Sequence, residues 1–376
     1  MEFLSGMWTY LGTFIVVLTV LVFVHELGHY LVARKFGVRV EVFSIGFGPE
    51  LYGYTAKNGT RWKFSAIPFG GYVKMFGERA PEDEEEAKIV TKSEEEVSFY
   101  SKSLGQRAWI VFAGPLANFL FAVFVLAGLF VFLGQPHTPA DVGKVVPGSA
   151  AERAGLMPGD IFLRIDDVEI ERFEQVRQVV ELAPGRELQI AVRRGQEEVV
   201  LTAIPDSIEE TRFGSTQTLG RLGVSRSIGD MVFIRHDPFT ATWKAVVRTA
   251  QMTGNILDAL GQIITGQRPV KELGGPIRIA QISGEMAKAG VVMVVQFTAI
   301  LSINLGLINL FPIPLLDGGH LVFYGIEAIR GRPVGERAMG YSLNIGLALI
   351  LCLTLFVTWN DLVQVPILEY LMELVT

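Results

Sequence analysis

The chain has 376 residues, of which 50% are hydrophobic, a mean hydropathy of +0.38 and a formal net charge of -6. That hydropathy is too high for most soluble domains, and without a block of Lys and Arg no nucleic-acid partner is expected. The lone cysteine, Cys352, sits in an apolar run, which excludes disulfides and a cysteine-based metal site.

Four apolar segments are long enough to span a bilayer: about 8–32, 107–133, 291–312 (with an apolar extension to about 329) and 340–359. The first has no basic n-region and no small-residue cleavage site before His25, so it is expected to stay as a span. It contains His25-Glu26-Leu27-Gly28-His29. On a helix His25 and His29 are i and i+4, with both imidazoles on one face, a spacing that suits two ligands of one tetrahedral zinc. Glu26 falls on a neighbouring face and suits a general base toward an attacking water. Ionisable groups inside a spanning helix are costly and usually functional, and a metal offsets the cost of three within five residues. The alternative is a helix end whose polar residues face water.

Lysine and arginine are concentrated between spans one and two, from Arg34 to Arg107, and recur at Arg330, Arg332 and Arg337 between spans three and four. Both loops are therefore expected in the cytoplasm and both termini outside it. Within residues 37–79, Val38–Phe43, Trp62–Ile67 and Tyr72–Met75 alternate like strands, with turn signals at Gly46-Phe47-Gly48-Pro49 and Pro68-Phe69-Gly70-Gly71. This predicts a small antiparallel sheet whose edge suits strand addition by an extended peptide. The acidic run 81–96 reads as a solvated linker. Span two opens Gly114-Pro115-Leu116-Ala117-Asn118, small residues and an amide that predict close helix packing.

Residues 138–205 change character, with strands at Val142–Val146, Ile161–Ile165, Glu187–Val192 and Val199–Ala203 and a helix from Phe173 to Leu182. With Ala154-Gly155-Leu156-Met157-Pro158-Gly159-Asp160, this order resembles a PDZ domain in the circularly permuted form of bacterial proteases. An amphipathic helix over 238–266 is expected to tie the module to the membrane. Span three ends in a broken stretch, Asn304 to His320, holding Asn309, Pro312, Pro314 and Asp317. Broken helices occur at membrane depth where they line a cavity. A carboxylate at Asp317 suits the third place of an open His-His-Asp zinc shell. His320 competes for that place, and a helix cap is the plain alternative for Asp317.

Taken together, His25-Glu26-x-x-His29, Phe69-Gly70-Gly71-Tyr72-Val73, Gly114-Pro115-x-x-Asn118 and Asn309-x-x-Pro312-x-Pro314-x-x-Asp317-Gly318 resemble the site-2 protease family of intramembrane zinc metalloproteases, of the bacterial regulator-of-sigma-E protease type. The resemblance covers nearly the whole chain. It implies that His25, His29 and Asp317 hold Zn²⁺ and that Glu26 is the catalytic base. It also implies that Asn309, Pro312 and Pro314 shape a substrate cleft, and that the hairpin with Gly70 and Gly71 presents substrate. Several relatives carry two PDZ domains, whereas this chain has room for one.

The expected fold is a polytopic α-helical membrane protein with four transmembrane helices, a membrane-associated β-sheet and an inserted α+β PDZ domain. The expected segments are 1–36 (first span), 37–104 (cytoplasmic sheet and acidic linker), 105–134 (second span), 135–206 (PDZ domain), 207–290 (PDZ tail and tether) and 291–376 (third and fourth spans). The expected function is intramembrane cleavage of single-span membrane proteins, resembling anti-sigma factors or remnant signal peptides, in regulated intramembrane proteolysis. The expected partners are such substrates, a trimmed stump at the PDZ groove, and the lipid of a bacterial inner membrane, with the site near the cytoplasmic side. The alternatives are a membrane-anchored PDZ scaffold with an inactive metal site, which an intact Glu26 argues against, and an ion transporter, for which no inverted repeat is evident.

Overall fold

The computed structural model describes residues 2–77, 92–137, 140–170, 172–212, 215–226, 232–266 and 274–364. The chain divides into two compact units: residues 1–127, 242–257 and 271–376, and residues 128–241 with 258–270.

The first unit begins with α1 (Glu2–Lys35), followed by strands β1 (Val40–Thr55) and β2 (Arg61–Met75) and a short α2 (Lys92–Val97). Next comes α3 (Leu104–Phe132). Its start is a capping box: Ser103 Oγ accepts from the Gln106 N–H at 3.4 Å, and Gln106 Oε1 accepts from the Ser103 N–H at 3.0 Å. Among the described residues four helices are long and apolar enough to cross a membrane: Thr9–Lys35, Leu104–Phe132, Val291–Asn309 and Arg337–Val363. The apolar runs read from the sequence therefore recur as helices, and the chain is a multi-pass membrane protein. The Pro81–Glu86 part of the acidic run lies outside the described residues.

Small residues set the helix seams. Gly28 of α1 faces α3 so closely that a Cβ there would lie 2.2 Å from the Ala113 carbonyl oxygen and 2.7 Å from Ala117 Cβ. Pro115 lacks the N–H of a regular turn inside α3, and the chain stays helical around it.

Strands β1 and β2 form more than the simple hairpin expected. Residues 42–45 pair with both 61–64 and 71–74, while 50–55 pair with 61–65. The Gly46-Phe47-Gly48-Pro49 stretch does not end the strand. Gly46 and Gly48 take φ of 90° and 84° inside β1, bending it rather than reversing it. Among the described residues, 71–75 pairs on one side only, so it is an edge. Against α1 the sheet buries Val38, Val40, Phe43 and Met75 with Tyr30. Phe43 stacks on Trp62 at 4.2 Å, and Asn58 Nδ2 donates to the Tyr30 hydroxyl at 2.8 Å. Leu51, Tyr52, Tyr54, Phe64 and Ile67 stay exposed.

The second unit holds β3 (Gln135–His137), β4 (Val142–Val145), α4 (Ala150–Arg153), β5 (Ile161–Ile165), β6 (Val168–Glu169), α5 (Phe173–Glu181), β7 (Leu188–Arg194), β8 (Glu197–Ala203), β9 (Asp206–Arg212), β10 (Ser215–Arg221), β11 (Val224–Arg226) and β12 (Val232–Ile234). A four-stranded sheet runs β6-β5-β7-β8. Phe162, Ile165, Val176, Leu188, Ile190 and Val192 form its core. Asp160, 1% exposed, ties the 155–160 loop to this sheet. It accepts from the Met157 N–H at 2.8 Å and from Arg194 Nε at 2.7 Å. Burial works to raise its carboxyl, but Arg194 and the Met157 N–H outweigh burial and hold it below the usual carboxylate range. The packing runs past residue 206: β11 pairs with β4, and Leu222 joins the core. The polar β9–β10 ribbon gave little apolar alternation to read.

Next in the chain is α6 (Pro238–Ile264), capped by Asp237, whose Oδ1 accepts from the Phe239 and Thr240 N–H groups at 3.0 and 3.2 Å. Back in the first unit, α7 (Pro276–Ala289) was not foreseen in the sequence. Its apolar residues are too few for a span, and its cap comes from far away. Asp361 of α10 (Glu336–Gln364), 3% exposed, accepts from the Gly275 and Arg278 N–H groups at 2.9 and 3.0 Å. Between them lie α8 (Val291–Asn309) and α9 (Asp317–Arg330), the latter closed by Gly331 at φ 69°.

Candidate metal centre

The i, i+4 spacing on α1 does place both imidazoles on one face, 9% exposed each. Their Nε2 atoms are 3.2 Å apart. Gly114 of α3 makes the room: a Cβ there would lie 2.2 Å from His29 Nε2 and 2.9 Å from His25 Cε1. His29 Nδ1 donates to the Ile110 carbonyl at 2.8 Å, which leaves the lone pair on Nε2.

Asp317 arrives from the loop that follows α8. The chain breaks after Asn309, as the two prolines predict, and Leu315 is held at φ 90°, a strained value for a bulky residue. The turn is packed backbone on backbone. A Cβ on Gly318 would lie 2.3 Å from the Leu310 and Phe311 oxygens, and one on Gly319 would lie 2.4 Å from the Ile313 oxygen. Asp317 is the first residue of α9, where Leu316 is the N-cap and no side chain caps. Instead Asp317 Oδ2 sits 3.1 Å from His25 Nε2 and 3.6 Å from His29 Nε2. That oxygen is buried and makes no hydrogen bond of acceptable geometry.

Three donor atoms thus converge, and of these Asp317 Oδ2 has no hydrogen-bond partner. Their separations of 3.1, 3.2 and 3.6 Å bracket the edge of about 3.3 Å expected for a tetrahedron with zinc–ligand bonds near 2.0–2.1 Å. Among the described residues, these are the His, Cys, Asp and Glu side chains grouped tightly enough to hold a metal ion. The donor set, two imidazoles and one carboxylate, is that of an open zinc site. Each ionised group in a spanning helix costs about 2.5–3.5 kcal/mol. A bound cation would offset the cost of such a cluster.

The three residues line a cavity of about 980 Å³. Glu26 lines it too, outside the donor group, as does Val73 near the end of β2. A Cβ on Gly71 would lie 3.1 Å from Glu26 Cγ and 2.6 Å from Val22, so this strand lies directly on the α1 turn that carries Glu26. Gly70, Gly71 and Asn309 line the cavity, whereas Pro312 and Pro314 are in the loop but not among the lining residues. His320 lines it without joining the donor group.

Comparison with known proteins agrees with this geometry. The model for "Peptidase family M50" matches residues 13–353. A protein of Agrobacterium fabrum named as a candidate zinc metalloprotease is 43% identical over 366 residues, covering 96% of each chain. The Caulobacter vibrioides protein named Metalloprotease MmpA is 35% identical over 397 residues, covering 99% of this chain and 100% of that one. The chain belongs to peptidase family M50. As a member of this site-2 protease family it is a zinc metalloprotease, and the metal-binding chemistry read from the donor set is that of the family.

Three further neighbours of the M50 centre have contacts that only the fold shows. They are the Ile110 carbonyl, the amide of Asn118 and the ion pair of Arg107 Nη2 with Glu327 Oε1 at 2.6 Å. That pair joins α3 to α9, with the Arg107 guanidinium 5.2 Å from the Tyr324 ring. A carbonyl has no sequence signal. Asn118 has one, an amide four residues after Gly114 in an apolar run, which by itself predicts close packing.

Proposed function

We propose that this M50 peptidase cleaves single-span membrane proteins within or beside their transmembrane segment, in regulated intramembrane proteolysis. Anti-sigma-factor-like proteins and remnant signal peptides are the fitting substrate classes. The observation that carries the reading is the convergence of His25 and His29, from a helix apolar enough to span a bilayer, with Asp317, from the loop that follows another such helix, on one cavity that also holds Glu26.

In this reading His25, His29 and Asp317 hold the zinc. When bound, zinc supplies Lewis acidity to the scissile carbonyl and to the attacking water. Glu26 takes the proton from that water as its oxygen bonds the carbonyl carbon. It then passes the proton to the amide nitrogen as the C–N bond breaks. A helical substrate has its amides paired, so it must unwind before attack. The free edge of residues 71–75 suits the unwound segment by strand addition, with Gly70 and Gly71 lining its path. Asn309 faces that path, while Pro312 and Pro314 act by shaping the loop that delivers Asp317. The exposed Leu51, Tyr52, Tyr54, Phe64 and Ile67 suit a membrane-surface position for the sheet.

The second unit is read as the PDZ-like module, placed outside the cytoplasm in a bacterial inner membrane, with both termini on the same side and the site near the cytoplasmic face. The uneven spread of Lys and Arg supports this orientation. Reporter tags at residues 90 and 335 should score as cytoplasmic, and tags at residue 195 and the C-terminus as extracytoplasmic. A cytoplasmic signal from residue 195 would overturn the orientation.

The module is proposed as a gate. It offers no histidine between 138 and 205, and a groove outside the membrane raises local concentration or excludes bulk without doing chemistry. Because β11 pairs with β4, the clean deletion runs over 140–226. It should leave cleavage of an already trimmed single-span substrate largely unchanged. It should also admit substrates with large extracytoplasmic domains that the full-length enzyme rejects. Loss of cleavage of the trimmed substrate, with zinc content normal, would show a required docking site instead. Mass mapping of the cut to a soluble loop, rather than to the spanning segment, would remove the intramembrane reading itself.

A further inference from the structure

Asn118 is fully buried on α3, one turn past Gly114. Its backbone carbonyl accepts from Ser302 Oγ of α8 at 2.8 Å, and its Cβ packs on Gly306. Its side-chain Nδ2 is 3.0 Å from His25 Nδ1, and its Oδ1 is buried without a hydrogen-bond partner. A carboxamide fits either way round, so the hydrogen-bond network decides which end faces the imidazole.

The two orientations have different consequences for His25. With the NH₂ toward it, Nδ1 accepts and the ring proton sits on Nε2, the atom that faces His29 Nε2 and Asp317 Oδ2. With the oxygen toward it, Nδ1–H donates and Nε2 keeps a lone pair aimed at the same two groups. The second pattern alone lets His25 bind a metal through Nε2. His29 already has that pattern, because its Nδ1 faces the Ile110 carbonyl, which can only accept. The two ligands are therefore oriented from two points on one helix, about two turns apart.

We infer that Asn118 is a positioning residue: its Oδ1 accepts the His25 Nδ1–H and sets Nε2 of His25 as the metal-facing atom. The inference rests on the metal-centre reading above and adds the group that orients its first ligand. Rotation turns the unpartnered oxygen onto the His25 Nδ1–H and moves the NH₂ to the buried position the oxygen leaves, while the anchored backbone keeps the amide in reach.

The test measures zinc affinity by chelator competition on the full-length protein in detergent, beside thermal unfolding. Asn118→Leu, close in shape but without an acceptor, should weaken zinc binding by about 10–100-fold, the usual effect of removing an outer partner. Asn118→Asp, which when ionised can only accept, should keep wild-type affinity. Rescue by Asp is the discriminating result, since a purely packing role would not separate Asp from Leu, and an NH₂-facing amide would make Asp as damaging as Leu. Asp as weak as Leu, or Leu as tight as wild type, overturns the inference. If Leu fails to fold, the Asp variant alone decides. An unchanged zinc affinity in His25→Ala would instead overturn the metal centre on which the inference stands.

Discussion

Glu26→Gln leaves zinc content and folding unchanged and lowers peptide-bond cleavage by a factor on the order of 10²–10⁴, the range for loss of a general base. The geometry makes this substitution unusually clean. Glu26 is outside the group of three donor atoms, so the metal loses no ligand. Glutamine has the length and shape of glutamate and keeps an acceptor oxygen in the same cavity wall. The fit against Gly71 is set by the side-chain stem, which the two residues share. What disappears is the ability to take and return a proton. The measurement is turnover of a purified single-span substrate by wild type and variant at equal zinc occupancy. Substantial turnover by Glu26→Gln would remove Glu26 from the role of base.

The second large effect concerns the metal shell. His25→Ala, His29→Ala and Asp317→Ala should each reduce bound zinc by more than the 10–100-fold typical of losing an outer partner. His320→Ala should largely spare it. The reason is positional. Asp317 Oδ2 lies 3.1 and 3.6 Å from the two imidazole Nε2 atoms, whereas His320, three residues on, lines the cavity without entering the donor group. Asp317 is not engaged as a helix cap, so its loss leaves α9 with its Leu316 N-cap as before. Elemental analysis of the four variants after purification in detergent separates the cases. A zinc-free His320→Ala beside a zinc-loaded Asp317→Ala would reverse the assignment of the third ligand.

The parts of this protein legible in the sequence are those that depend on near neighbours. Spans are legible because hydropathy acts residue by residue, and all four runs recur as helices. The shared face of His25 and His29 is legible because helical spacing is local. The break after Asn309 is legible because proline removes an N–H wherever it stands. Strand β5 and helix α5 follow from alternation and amphipathic spacing within a few residues.

Tertiary structure decided what distant residues do to one another. Local pattern misled at Gly46 and Gly48, where positive φ usually means a turn but here bends a strand whose partner lies across the sheet. It was silent about α7, whose N-terminus is capped by Asp361 from another helix, and about β9 to β11, which are held by pairing rather than by apolar alternation. The centre itself shows the same division. The first two donors sit one turn apart on one helix and announce themselves. The third comes from a strained loop held by Gly318 and Gly319 against carbonyl oxygens, and only that packing brings its Oδ2 to 3.1 Å from His25 Nε2. The Ile110 carbonyl and the Asn118 amide are likewise placed by helix docking. A backbone group carries no sequence signature, so its part in orienting a ligand becomes visible only when the chain has folded around it.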